Sequence, residues 1–239
     1  MRRSLVALAV VSVLVLAASV PASAQQMLVQ LRYWSTNAKW DLNWNPTWTS
    51  SLGGVSIRRP LAGGDWALSF NYDTGAIASA PWDTVGQLNR FWNLNVHRNF
   101  SAPNTLFSLY GGWGSAAWEM PNWPTEPEYL RHSGPRVGAD VRISLKENWY
   151  LVGDLGLAFS GTTSSTLFAT GVVGNWDSTV LDAKIGLGYT WGNFGLEGGW
   201  RTINWAQTKL PAYAAGSCPG LNCGMSWSGL YLGVNLTLP

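Results

Sequence analysis

The stretch RISLKENWYLVGDLGLAF, residues 142–159, decides the fold because its hydrophobic residues recur at every second position. Trp149, Leu151 and Leu155 alternate with small or polar neighbours, and Asp154 is one of those neighbours. A period of two is that of a β-strand, in which successive side chains point to opposite faces. The stretch therefore predicts strand structure with one apolar face and one face of small or charged residues.

The same alternation recurs along the whole chain. The polar triplet at 146–148 separates two alternating runs and predicts a tight hairpin between them. Counting every run with this period predicts ten strands, at 27–35, 52–59, 65–73, 86–98, 105–115, 136–145, 149–160, 180–191, 194–202 and 227–238.

Short and long connections alternate between these strands. A membrane-spanning barrel has short turns on its periplasmic side and long loops outside, whereas a soluble meander has no reason for this regularity. We therefore predict one barrel domain over residues 25–239. The short connections are 60–64, 99–104, 146–148 and 192–193, and the long ones are 36–51, 74–85, 116–134, 161–178 and 207–223.

The two faces of the strands differ in a way that favours a lipid environment. The polar face is rich in Gly, Ser and Ala with scattered charges, which suits a crowded interior. Aromatic residues cluster near the strand ends of the apolar face, as they do where a barrel meets the two membrane interfaces. We predict an all-β protein, a transmembrane antiparallel up-and-down β-barrel of ten strands, with eight or twelve as the alternatives. The aromatic residues are Trp66, Trp149, Trp191 and Phe194 beside short turns, and Tyr72, Phe159 and Trp200 toward long loops.

The composition argues against several other classes of protein. The 239 residues carry a formal charge of +2, and the 15 Lys and Arg residues are spread along the chain, so no nucleic-acid partner is expected. Charged residues make up 12% of the chain, about half the usual share of roughly 25%. No glycine-rich phosphate loop followed by Lys is present, and we expect neither a cofactor nor a metal.

The first 24 residues have the features of an export signal. Arg2 and Arg3 precede an apolar run from Leu5 to Val20, and the small residues Ala22 and Ala24 follow it. An uncleaved membrane anchor is the alternative, although the run is shorter than the ~20 residues that a spanning helix needs. We expect residues 1–24 to be a signal peptide that is cleaved.

Together these patterns resemble the small outer-membrane β-barrels of Gram-negative bacteria. The resemblance covers residues 25–239 and is one of architecture rather than of a signature motif. In strand number the chain is similar to the omptin proteases and the Opc-type adhesin rather than to the eight-stranded outer-membrane protein A type. The alternating last strand, GLYLGVNLTLP, fits such barrels, although it ends at Leu238-Pro239 where a terminal Phe is usual. The resemblance implies an outer-membrane location and contact with outer-membrane lipid.

Charges on the polar face would line the barrel interior, or lumen. One interpretation is a structural ion-pair network that fills a narrow barrel, because buried charges must be paired. The other is a charge-lined pore with a weak preference for anions. The set contains six basic and four acidic residues, namely Arg32, Arg58, Arg136, Asp140, Arg142, Asp154, Asp182, Lys184, Glu197 and Arg201.

No catalytic residue is predicted. The omptin pattern requires a loop-side Asp-x-His and a second carboxylate pair, and neither His97 nor His132 has an Asp two residues before it. The sequence neighbours of His97, Val96 and Arg98, supply no acid. A His–Ser pair of the lipid-A deacylase kind stays open, because only geometry can test it. We expect that the protein is not an enzyme.

The predicted long loops contain many tryptophans. Loop tryptophans can form a surface that binds an extracellular ligand or partner. Alternatively, the rings pack on one another and cap the barrel, or lie in the outer interface belt. The residues concerned are Trp40, Trp44, Trp48, Trp118 and Trp123.

Cys218 and Cys223 are the two cysteines of the chain, and Pro and Gly residues lie between them. A close pair in an exported protein predicts a disulfide that closes a small loop before the last strand. A metal site is not expected, because no His lies nearby to complete a tetrahedral set of ligands.

The sequence therefore leaves three functions to be compared. The first is an outer-membrane barrel with a structural or loop-mediated binding role and a narrow, ion-pair-lined lumen. The second is a small porin or specific channel for small solutes. The third is an outer-membrane protease or lipid-modifying enzyme.

Overall fold

The computed structural model describes residues 26–41, 47–61, 63–78, 88–120, 128–165, 174–208 and 223–239. These residues form ten strands, and none of the described residues belongs to a helix that is long and apolar enough to cross a membrane. The strands are β1 (Met27–Trp40), β2 (Thr47–Pro60), β3 (Trp66–Ala78), β4 (Leu88–Ala102), β5 (Thr105–Met120), β6 (Glu128–Ser144), β7 (Trp149–Ser165), β8 (Gly174–Trp191), β9 (Phe194–Gln207) and β10 (Cys223–Leu238).

The ten strands close into one antiparallel barrel. Each strand pairs with its neighbours in the sequence, and β1 pairs with β10 from Met27↔Leu238 to Trp40↔Met225. Closure gives every strand a partner on both sides, so no strand edge faces hydrocarbon, where an unpaired backbone group costs several kcal/mol. The predicted fold class, an up-and-down barrel of ten strands, is confirmed.

The strands extend further toward the long connections than the sequence pattern indicated. β1 continues to Trp40, although 36–51 was predicted to be a loop, and β2 begins at Thr47. β6 likewise begins at Glu128, within the predicted loop 116–134. These predicted loop boundaries were wrong, and much of each predicted loop is strand.

The reason is that the two faces of a strand exchange their character along its length. On β1, Leu31 and Tyr33 point outward and are exposed, as a lipid-facing surface requires. Further along, the outward positions become polar, with Asn37 and Lys39 exposed, while Trp40 points inward and is buried. A search for one continuous apolar face stops where the apolar residues change sides.

The same exchange occurs on β9. Leu196 and Trp200 are exposed on the outer face, whereas the later outward residue Asn204 is polar. Ile203 and Trp205 lie on either side of Asn204, point inward and are buried. The barrel thus has a lipid-facing part near the short turns and a part with a polar exterior near the long connections, which we call the upper section.

Two rows of exposed aromatic residues bound the lipid-facing part. Such rows mark the membrane interfaces of a transmembrane barrel. The lower row, near the short turns, contains Trp66, Phe100, Phe107, Trp149, Trp191 and Phe194, and the upper row contains Tyr33, Trp113, Phe159 and Trp200.

The two faces of β7 allow a direct test of this assignment. Leu155 is 54% exposed and lies between Trp149 of the lower row and Phe159 of the upper row. An Arg near the bilayer centre costs about 2–4 kcal/mol. We therefore expect Leu155→Arg to reduce strongly the fraction of protein that folds into lipid vesicles, measured by urea titration.

Val152→Arg is the matched control on the same strand. Val152 points inward and lines a water-accessible cavity, so the new charge stays solvated. We expect its folded fraction to remain close to that of the wild type. Equal losses for both variants would show that the assignment of the faces is wrong.

Candidate functional site in the barrel lumen

The lumen of the upper section is filled by a cluster of aromatic and aliphatic side chains, which we call the aromatic plug. Trp40 and Trp118 meet edge to face with ring centroids 5.1 Å apart, and Phe91 meets Trp227 in the same way at 5.0 Å. Edge-to-face pairs of this kind add stability beyond the area they bury. The plug consists of Trp34, Trp40, Trp48, Leu52, Phe91, Trp118, Leu130, Ile203, Trp205, Met225 and Trp227.

The plug changes the interpretation of the tryptophans that were predicted to lie in loops. Trp40, Trp48 and Trp118 lie on β1, β2 and β5 and are buried inside the barrel. Their placement in loops was wrong, because each strand continues past the membrane and turns these rings inward. The alternative, that the rings pack on one another and cap the barrel, is confirmed for them. Trp44 and Trp123 lie outside the described residues.

Directly below the plug, a layer of ion pairs crosses the lumen. The Arg201 guanidinium donates to Asp182 from Nε at 3.0 Å and to Asp73 at 2.8 Å. Arg32 also donates to Asp73, at 2.5 and 2.8 Å, and Arg136 donates to Asp182 at 3.3 Å. All five side chains are almost completely buried. Removing one member would leave another buried charge without its partner.

A second set of polar contacts surrounds Glu197. Lys184 approaches one carboxylate oxygen at 3.2 Å, and the Tyr231 hydroxyl donates to the same oxygen at 3.0 Å. The Tyr150 hydroxyl donates to the other oxygen at 3.4 Å and accepts a hydrogen bond from Asn235 at 2.7 Å. Glu197 is therefore held by groups from β7, β8 and β10, and these contacts tie several strands together across the lumen.

Arg142 and Asp154 are not joined to each other by a salt bridge among the described residues. The β6–β7 register places Arg142 opposite Val152, so Asp154 lies diagonally from it. Asp154 instead accepts a hydrogen bond from the Tyr110 hydroxyl at 2.8 Å. The Arg142 guanidinium lies over the Tyr150 ring, 3.7 Å from its centroid. The network is thus built through tyrosines as well as through direct ion pairs.

Tyr110 also explains one of the glycines on the inner face. A Cβ on Gly156 would collide with the Tyr110 hydroxyl and with the Arg136 guanidinium. Tyr110 and Arg136 are themselves in contact at 3.2 Å. The glycine at this position therefore provides the space in which the tyrosine and the arginine meet.

A cavity of about 290 Å³, which we call the lower cavity, lies between the ion-pair layer and the short-turn end. It extends from Arg201 to Gln26, which is exposed immediately before β1. Asp73 belongs to the ion-pair layer but was not among the predicted lumen charges, although its place on the polar face of 65–73 could have identified it. The structure places all ten predicted charges on the wall of the lower cavity, namely Arg32, Arg58, Arg136, Asp140, Arg142, Asp154, Asp182, Lys184, Glu197 and Arg201.

The sequence alone did not identify a hydrogen-bonded series of three side chains on the cavity wall. His97 Nε2 lies 2.7 Å from the Ser69 hydroxyl, and His97 Nδ1 lies 3.0 Å from a carboxylate oxygen of Asp140. Arg58 donates to the other oxygen of Asp140 at 2.8 Å. The expectation of no enzyme rested in part on the lack of an acid beside His97 in the sequence. Asp140 comes from β6 and supplies that acid, because β4 and β6 both pair with β5 and their inward side chains meet over it.

His132 forms a second His–Ser pair in the upper section. Its Nδ1 lies 2.6 Å from the Ser178 hydroxyl, and both side chains are buried. His132 pairs with Thr163, four residues beyond Phe159 of the upper aromatic row, so it lies outside the membrane-spanning part. Burial lowers the pKa of His132 to about 4, and the imidazole is therefore neutral at pH 7.

Comparison with solved structures agrees with this architecture. The outer membrane protease OmpT from Escherichia coli superposes with a TM-score of 0.59 at 11% identity, over 93% of this chain and all of that chain. The fold is that of the bacterial outer-membrane β-barrels. At this identity the likeness shows the fold alone. No family model matches the chain, and no curated protein matches it.

Two further structures were compared. Neisserial surface protein A superposes with a TM-score of 0.34 at 17% identity, over 88% of this chain and 96% of that chain. The translocator domain of the autotransporter NalP from Neisseria meningitidis superposes with a TM-score of 0.37 at 10% identity, over 98% of this chain and 97% of that chain.

Several predictions about individual residues remain untested by the structure. The predicted signal peptide, residues 1–24, lies outside the described residues. Cys218 also lies outside them, and the side chain of Cys223 is not described. The disulfide therefore stays a prediction.

The ion-pair layer predicts strongly non-additive effects on stability. Breaking a buried pair by removing one partner costs about 3–5 kcal/mol. We expect Asp182→Asn and Arg201→Met each to lower the free energy of unfolding in lipid vesicles by an amount of this order. The double variant should lose less free energy of unfolding than the two single variants together. In the double variant Asp73 still pairs with Arg32, and Arg136 still contacts Tyr110.

Asp65→Asn provides the control for this cycle. Asp65 pairs with Arg98 at 3.1 Å, but its side chain is 64% exposed, and exposed pairs contribute about 0–1 kcal/mol. Additive losses for Asp182 and Arg201, or losses as small as that of Asp65→Asn, would contradict a closed network.

Proposed function

We propose that this protein is a closed, non-conducting barrel of the bacterial outer membrane. Its role is structural, and its upper section carries a binding surface for an extracellular partner. The observation that supports this proposal is the filled lumen, in which the aromatic plug lies on top of the ion-pair layer. A solute that entered from the long-connection end would have to displace both.

The aromatic plug opposes conduction by exclusion of water. Trp34, Trp118 and Trp227 are completely buried, so water does not reach their rings. An ion that crossed this region would have to lose its hydration without gaining polar partners, which is costly. Barrels near this size have interiors that side chains can fill, whereas open channels belong to barrels of about 16 strands.

The ion-pair layer opposes conduction by a different means. Its guanidinium and carboxylate groups are already paired with each other across the lumen, as Arg201 with Asp73 and Asp182 shows. A permeating ion would have to compete with these partners. The lower cavity therefore ends at this layer and is a recess rather than a segment of a pore.

The upper section supports a binding role for the connections that it carries. On β9, residues 201–207 continue beyond Trp200 of the upper aromatic row. These seven residues span roughly 20 Å along the strand. The plug gives this extension its own core, with Ile203 and Trp205 inside and Asn204 outside. A rigid support of this kind holds the ends of the strands clear of the membrane surface, where a partner can reach the upper section.

Electrical recording distinguishes this proposal from a small porin. We expect the wild-type protein, folded into a planar lipid bilayer, to give no steady current under a constant voltage. A general porin from a parallel preparation is the positive control, and urea-resistant folding in the same lipid shows that the barrel is inserted. A steady current proportional to voltage would contradict the proposal and favour the weakly anion-selective channel.

A further inference from the structure

The contacts of His97 form an uninterrupted hydrogen-bonded chain from a hydroxyl to a carboxylate. Ser69 Oγ lies 2.7 Å from Nε2, and Asp140 lies 3.0 Å from Nδ1. Arg58 fixes the far side of the Asp140 carboxylate, which leaves the near oxygen directed at the imidazole. In this arrangement Asp140 orients the ring and selects the tautomer with its proton on Nδ1, so that Nε2 can accept the proton of the Ser69 hydroxyl.

The position of the chain in the barrel gives it access to a substrate. Ser69, His97 and Asp140 all line the lower cavity, which reaches the short-turn end at Gln26 and Pro60. The other His–Ser pair, His132 and Ser178, does not line this cavity and lies beside the aromatic plug at 0% and 2% exposure, whereas Ser69 and His97 are each 5% exposed on the cavity wall. The two pairs therefore differ in access to a substrate, which nucleophilic chemistry requires.

We propose that Ser69, His97 and Asp140 form a nucleophilic centre that hydrolyses small carboxylic esters entering the lower cavity from the short-turn side. This activity goes beyond the structural role proposed above and does not depend on whether the barrel conducts. In a membrane protein of this type, the short-turn side is the periplasmic side.

The chemical steps use only these residues, the ester and water. His97 Nε2 takes the proton of Ser69 while Oγ bonds to the carbonyl carbon. The ester C–O bond then breaks, and the alcohol leaves with the proton from His97. Water, deprotonated by His97, attacks the acyl group on Ser69 and releases the carboxylic acid, and the serine regains its proton.

Donors for the developing oxyanion lie on both sides of Ser69. Its cross-strand partners are Arg58 on β2 and Asn95 on β4, and both face the lumen. Directly opposite residues on one face have Cβ atoms about 4.5–5.5 Å apart, which brings both side chains within reach of a carbonyl at Ser69. Asn95 Oδ1 is buried and has no hydrogen-bond partner among the described residues. Its NH₂ group donates one of its two protons to Asn93 Oδ1 at 2.8 Å, which leaves the second proton for the oxyanion.

The size of the cavity restricts the substrate. At about 290 Å³ it lies just below the range for ligand pockets, roughly 300–1,000 Å³. Leu106 and Val152 form an apolar wall near the entrance. A short acyl chain fits this space, whereas the plug and the ion-pair layer leave no room for a long one. The substrate class is therefore an ester of a short-chain carboxylic acid.

The test is covalent labelling of the folded wild-type protein with a fluorophosphonate probe, which forms an Oγ–P bond with a nucleophilic serine and releases fluoride. We expect one adduct per chain by intact mass, and peptide mapping should place it on Ser69. Ser56→Ala is the matched control, because Ser56 lines the same cavity and has no histidine partner among the described residues. This variant should label like the wild type. Ser69→Ala should not label.

Further variants separate a catalytic from a structural role. His97→Gln should slow labelling by about a hundredfold or more, in line with the usual contribution of a general base. Asp140 is a positioning residue, so Asp140→Glu should retain part of the labelling rate that Asp140→Asn loses. Folded wild-type protein that takes up no probe, or an adduct that maps to another residue, would overturn the proposal, as would equal labelling of Ser69→Ala.

Discussion

The guanidinium of Arg201 is the contact on which the rest of the lumen depends. It lies on β9 and bonds to Asp182 on the neighbouring β8 and to Asp73 on β3, across the barrel. Its upper side meets the Trp34 ring of the aromatic plug at 4.8 Å, and its lower side borders the lower cavity. One buried cation thus joins distant strands and separates a dry upper half of the lumen from a recess below it.

This arrangement follows from the requirements of the membrane. Hydrocarbon outside the barrel excludes charge from the outer face, and closure leaves the lumen as the place where charged side chains can be paired. Above the membrane water surrounds the barrel, so the apolar side chains move inside. Apolar and polar residues alternate along each strand in both parts, but the apolar residues face outward in one part and inward in the other, as Leu31 and Trp40 on β1 show.

The sequence predicted those features that repeat with a period of two and failed where a feature depends on several strands. The stretch 142–159 identified a strand and a hairpin, and the strand number and the membrane-facing residues followed from the same pattern. The sequence allowed Trp40 and Trp118 to pack on each other as a cap, but it missed their position on strands because the apolar residues change faces there. The pairing of His97 with Asp140 could not be found, since it requires the register of β4, β5 and β6 together.

The exchange of faces is the central claim, and a nitroxide scan along β9 tests it most directly. A spin label at each outward position, 196, 198, 200, 202, 204 and 206, would report contact with lipid through oxygen and contact with water through a soluble nickel complex. We predict lipid exposure at 196–200 and water exposure at 202–206, with labels at the inward positions 203 and 205 reached by neither reagent. Lipid exposure along the whole outer face, or water at 203 and 205, would contradict the account.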